Sequence, residues 1–138
     1  MFVLLYIMSS LPLITEIESR NDLMPLLENN PGLLVLKFGA EWCGPCKTIE
    51  EDVNKYFNHM PNNVQCGILD VDDCFDLYAY LKSKKIVNTI PAILCYKKHN
   101  LSMIAPDHIL MSSDVNELRD FINVCLLESN KLKTHSDL

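Results

Sequence analysis

Positive charge is scarce in this chain: 12 Lys and Arg face 18 Asp and Glu over 138 residues, a formal net charge of −6. That balance excludes a general affinity for nucleic acid or anionic membrane surfaces and points to proteins as partners. Long apolar runs are missing too. The opening run Met1-Phe2-Val3-Leu4-Leu5-Tyr6-Ile7-Met8 is far too short to span a bilayer, which takes about 20 residues. It also lacks the basic n-region and small-residue cleavage site of a signal peptide. Met8, followed by Ser9-Ser10, is a plausible alternative start. There is no internal repeat and no low-complexity tract, and nothing marks a second domain. A chain of this length buries an ordinary core as one domain without disulfide staples. His59, His99, His108 and His135 have no metal-ligand spacing and read as surface residues, so no metal site is expected.

Cysteine is plentiful, at six. Cys66, Cys74, Cys95 and Cys125 fall on apolar strand or helix positions far apart in sequence, as packed small hydrophobes of a reduced, cytosolic protein do. Cys43 and Cys46 differ. They lie in Trp42-Cys43-Gly44-Pro45-Cys46, between the apolar run Leu33 to Phe38 and Lys47-Thr48-Ile49, at a strand-to-helix junction that suits zinc poorly. At the first turn of a helix, unpaired N–H groups and the macrodipole favour an anion, which lowers the Cys43 thiol pKa. Cys46, one turn on, is within reach to break a mixed disulfide formed on Cys43. Gly44 permits a tight approach and Pro45 starts the helix. Beside such a pair, the flat face of Trp42 shields the thiol and meets substrate.

Along the chain, Leu13 to Glu18 reads as a strand, and Asn21-Asp22 caps a helix running to Glu28. The run 33–38 reads as a central strand covered on both faces. The next helix carries Ile49, Val53, Tyr56 and Phe57 on one stripe and ends before Pro61. Val64 to Asp70 is a strand, and Asp72 or Asp73 caps a helix burying Cys74, Leu77, Tyr78 and Leu81. Asp70, Asp72 and Asp73 together read as a capped turn. Ala92 to Tyr96 and Leu101 to Ala105 pair as antiparallel strands, and Asp114 with Glu117 forms a capping box for a last helix burying Leu118, Phe121, Ile122 and Cys125. The order βαβαβαββα places helices on both faces of a central mixed sheet, an α/β architecture.

The segment Phe38-Gly39-Ala40-Glu41-Trp42-Cys43-Gly44-Pro45-Cys46-Lys47 resembles the active-site segment of the thioredoxin family. Leu69 to Cys74 resembles the family's third strand and following turn, and Thr89-Ile90-Pro91-Ala92 the segment carrying its cis-proline. The resemblance covers roughly residues 13–128, leaving residues 1–12 as an apolar N-terminal extension and 129–138 as a polar, frayed C-terminal tail. It implies the thioredoxin fold, Cys43 as nucleophile, Cys46 as resolving thiol, and Ile90 and Pro91 as substrate contacts. It implies no bound cofactor.

The departures from the family pattern are informative. Lys37 stands where many relatives carry a buried aspartate serving the resolving thiol; its amine either cannot take a proton while charged or snorkels to solvent at the strand end. Glu51 replaces a helix-kinking proline. Gly39 replaces a bulkier residue and is expected to open the substrate groove. The segment 106–113 is longer than the family's connection and lacks a glycine of the third substrate loop.

The implied activity is reduction of protein disulfides by a thiol–disulfide oxidoreductase, with electrons from a thioredoxin reductase or another dithiol donor. The alternatives are a thioredoxin-fold binding or assembly module with little turnover, and a more oxidising oxidase or isomerase. The expected compartment is the cytoplasm. Twelve asparagines with plentiful Ile and Lys suit an AT-rich genome, as of a protist or a large DNA virus, and in a virus that compartment becomes host cytoplasm or virion. Met1–Ile7 is an uncovered apolar segment, so the full chain is expected to form a homodimer through it.

Overall fold

All seven residues of β1 (Leu33–Gly39) are buried, as an apolar run without strict alternation requires of a strand covered on both faces. The computed structural model describes residues 10–136, with side chains described to Lys133. A 3-10 turn (Arg20–Asp22) and α1 (Leu23–Glu28) precede β1. After it come α2 (Gly44–Phe57), β2 (Val64–Asp70), α3 (Phe75–Ser83), β3 (Ala92–Lys97), β4 (His108–Leu110) and α4 (Val115–Ser136). The sheet has four strands in the order β2-β1-β3-β4. β1 is parallel to β2 and antiparallel to β3, and β4 is antiparallel to β3.

Alternation along β1 divides the core. Leu34, Leu36 and Phe38 join Leu94 and Tyr96 under α1 and α3, through Leu23, Leu27, Leu77 and Leu81. Leu33 and Val35 join Ile93 and Cys95 under α2 and α4, through Ile49, Val53, Phe57, Leu118, Phe121 and Ile122. Lys37 and Gly39 continue this second face toward the N-terminus of α2.

Several expectations are corrected. The first strand shrinks to one parallel bridge, Ile14 to Gly67, held by Ile14 N–H to Cys66 O at 3.0 Å and Ile68 N–H to Ile14 O at 2.9 Å. Ile14 and Ile17 pack into the same cluster although three residues apart, which an extended strand of period two cannot arrange. The last strand is His108–Leu110, not Leu101–Ala105. Asp107 decides this: its carboxylate accepts from Lys97 N–H at 2.7 Å and Asn100 Nδ2 at 2.9 Å, and its own N–H reaches Cys95 O at 2.8 Å. Residues 98–107 are thereby a closed loop. His108, opposite Cys95, is consequently half-buried rather than on the surface, with Nε2 buried and unpartnered.

From residue 129 the expected frayed tail is helix, since α4 runs to Ser136 and Ser129 is buried with Asn63 Nδ2 donating to its carbonyl at 3.0 Å. The capping box of α4 is half formed: Asp114 Oδ1 accepts from the N–H groups of Asn116 and Glu117, while the Glu117 carboxylate turns to the Ser112 hydroxyl. No helix among the described residues is long and apolar enough to cross a membrane. The segment Met1–Ile7, expected to self-associate, and the side chain of His135 lie outside the described residues.

Candidate active site

Cys43 is the N-cap of α2, in extended conformation, and Cys46 lies one turn in. The two sulfurs are joined as a disulfide with Cα atoms 5.3 Å apart. Cys43 Sγ also accepts the Cys46 N–H at 3.2 Å and faces Ile90 O at 3.8 Å. A helix N-terminus supplies that free N–H, and once the disulfide opens the same contact becomes a charge-assisted hydrogen bond to a thiolate. Ile90 stands before Pro91 across a cis peptide bond. The Cys43–Ile90 contact brings together residues 47 apart in the chain, with Pro91 next after Ile90.

Pro45 falls in the first turn of α2, where a missing N–H costs nothing. Gly44 corrects the expectation of a tight approach: a Cβ there meets no atom within 4 Å, and its φ is not positive. The surface above it is open. Trp42 is 68% exposed, and its indole N–H donates to Asp72 Oδ2 at 2.9 Å. That role of Asp72 escaped the sequence reading, since a partner 30 residues away leaves no local signal. The turn itself is held by Asp70, whose Oδ1 accepts from Asp72 N–H at 2.8 Å and whose carbonyl accepts from Asp73 and Cys74. Cys74, not an aspartate, is the N-cap of α3.

Lys37 is 6% exposed, and burial lowers its pKa while Glu50 opposes the shift. Gly39 does not widen the outer groove. The point where its Cβ would stand is 3.2 Å from Lys37 Nζ and 3.5 Å from Cys46 Sγ, so the missing side chain admits the amine beneath the disulfide. A cavity of about 170 Å³ lies there, lined by Lys37, Gly39, Cys46, Glu50 and Asp70 among others. With Glu51 in place of proline, α2 runs unbroken through Phe57. The 106–113 segment supplies β4 and places Met111 Sδ 3.4 Å from the Asn88 N–H.

The other four cysteines are free and buried. Burial pushes the Cys66 thiol up to about 12 and the Cys74 thiol up to about 11. A hydrogen bond with Cys125, then burial, raises Cys95. Thiols so disposed are poor nucleophiles, which concentrates sulfur chemistry at residues 43 and 46.

A family model described as thioredoxin matches residues 16–123. Among curated relatives, thioredoxin of Oryctolagus cuniculus is 33% identical over 87 residues, 62% of this chain and 78% of that protein. Thioredoxin-2 of Saccharomyces cerevisiae is 31% identical over 85 residues, 62% of this chain and 77% of that protein. Among solved structures, mitochondrial thioredoxin 3 of S. cerevisiae superposes with a TM-score of 0.63 at 24% identity, covering 80% of this chain and 93% of that one.

Proposed function

We propose, from the premise that the chain belongs to the thioredoxin family, that it reduces protein disulfides, with Cys43 as the attacking and Cys46 as the resolving thiol. The family and its joined cysteine pair make it a thiol–disulfide oxidoreductase acting on disulfide substrates. The assignment of roles rests chiefly on one observation: Cys43 Sγ sits at the N-cap of α2, accepting the Cys46 N–H at 3.2 Å, where a thiolate is favoured.

The Cys43 thiolate attacks one sulfur of the substrate, whose partner sulfur leaves with the electron pair. Cys46 then attacks Cys43 Sγ, the substrate's second sulfur leaves as a thiolate, and the pair ends as the disulfide seen here. Two electrons pass to the substrate. A thioredoxin reductase or another dithiol donor returns them. Ile90 and Pro91 border Cys43 where an extended substrate segment would lie, and Trp42 and the open surface over Gly44 supply apolar contact. The reaction belongs in the cytoplasm, where a dithiol stays reduced, and the full chain self-associates through Met1–Ile7.

Turbidimetric insulin reduction with dithiothreitol tests this reading. The wild-type chain is expected to accelerate precipitation and Cys43→Ser to abolish the acceleration; equal rates would favour a binding module instead. Cys46→Ser is expected to retain substrates on Cys43 as mixed disulfides, and trapping at Cys66 or Cys74 would reverse the assignment. Size-exclusion chromatography with light scattering compares the full chain with one begun at Met8. Identical masses would remove the self-association.

A further inference from the structure

Lys37 is the only charged side chain buried among the described residues. It enters the core from β1, in line with Leu33 and Val35 on the face that α2 covers, so its methylene stem prolongs an apolar stripe. The amine emerges at the strand's end, under the disulfide. A Gly39 Cβ would stand 3.2 Å from Nζ, 3.3 Å from Cε and 3.5 Å from Cys46 Sγ. Amine and sulfur thus converge on the one gap that a missing side chain leaves. Cys43 Sγ points elsewhere, toward Ile90 O.

The charged groups around this cavity come from three elements: Glu50 and Lys47 from α2, Glu41 from the turn before it, and Asp70 from the end of β2. Thr15 completes the rim. Three carboxylates against one further lysine favour a charged amine, and Glu50, one helical turn beyond Cys46, is the neighbour that raises the Lys37 pKa against burial.

Resting on the dithiol reading above, the geometry points to the Lys37 ammonium as the group that stabilises the Cys46 thiolate during resolution, brought within range by the absent side chain of Gly39. With a substrate sulfur on Cys43, Cys46 gives its proton to water. A volume of about 170 Å³ has room for several molecules at about 30 Å³ each. The Cys46 thiolate forms a bond to Cys43 Sγ, the Cys43–substrate bond breaks, and its electron pair leaves on the substrate thiolate. The ammonium keeps its proton throughout. A cation several ångströms from a thiolate in a medium of intermediate dielectric raises the thiolate fraction about tenfold. Lys37 therefore sets how long the mixed disulfide lives.

The experiment loads the reduced full chain with bis-thionitrobenzoic acid under single-turnover conditions. The first thionitrobenzoate released reports attack by Cys43, and the second reports resolution by Cys46. In Lys37→Met the second release, referred to the first, is expected to slow about tenfold near neutral pH. It should rejoin the wild-type rate at high pH, where Cys46 ionises without help. Lys37→Gln repeats the measurement should the methionine chain fail to fold. An unchanged ratio near neutral pH overturns the proposal and leaves the dithiol reading intact. A slowing that persists at high pH also overturns it, since the amine would then be moving the proton rather than holding charge. Failure of the first release would remove the dithiol reading and this one together.

Discussion

The indole of Trp42 is tied at one atom and open over most of its surface: its N–H meets Asp72 at 2.9 Å while the residue is 68% exposed. A surface hydrogen bond of this kind contributes about 1 kcal/mol at most, whereas an aromatic face beside a reactive sulfur offers large contact area. Trp42→Ala is accordingly expected to raise KM for a protein disulfide several-fold while changing stability by less than about 1 kcal/mol. A large loss of Tm with unchanged KM would make Trp42 a structural residue. The cysteines divide in the same way. With Cys66 and Cys74 thiols pushed up to about 12 and about 11, hardly any thiolate exists at neutral pH. Iodoacetamide applied to the reduced native chain should label Cys43 first and leave Cys66, Cys74, Cys95 and Cys125 unmodified until denaturant is added, as peptide mass mapping would reveal.

Among the elements, β4 depends least on its own sequence. It has three residues, two of them half-buried and Ile109 exposed, and its place against β3 follows from Asp107. That side chain accepts from Lys97 N–H and Asn100 Nδ2. Charge-assisted bonds of this type contribute roughly 1.5 to 3 kcal/mol when buried and less at an exposed residue, so Asp107→Ala is expected to cost about 1 to 2 kcal/mol. Denaturant midpoints measure it, and amide exchange at the β3–β4 ladder should quicken with it. The long α4 is different. Leu118, Phe121, Ile122 and Cys125 face the sheet, as their spacing requires, and the added turns beyond residue 128 are held by Ser129 against Asn63.

For the whole molecule, Lys37 sets stability against the chemistry inferred for it. Burial lowers its pKa, so the unfolded chain binds that proton more tightly than the folded one. Below the lowered folded value the charged amine subtracts stability. Between that value and the ordinary lysine pKa, about 10.4, the penalty fades as pH rises. Lys37→Met should therefore melt at a higher temperature than wild type near neutral pH, with the gap narrowing toward alkaline pH. A lower Tm for the variant near neutral pH would mean that Glu50, Glu41 and Asp70 more than offset the desolvation.

The sequence by itself determined where the dithiol lies, since an apolar run followed by Cys43-Gly44-Pro45-Cys46 leaves only a strand-to-helix junction. Once that run is a strand, strand geometry alone puts Lys37 on the face of Leu33 and Val35. These signals act over a few residues. Only the tertiary structure decided that Asp72 holds Trp42, 30 residues away, that Ile90 faces Cys43, 47 residues away, and that the Gly39 gap opens inward. It also chose His108–Leu110 over Leu101–Ala105 as the edge strand. Both segments can form a strand locally, and the choice fell to the hydrogen bonds of Asp107. Contacts between distant segments depend on how loops close and which polar groups must be satisfied on burial, and neither leaves a periodic trace in the chain.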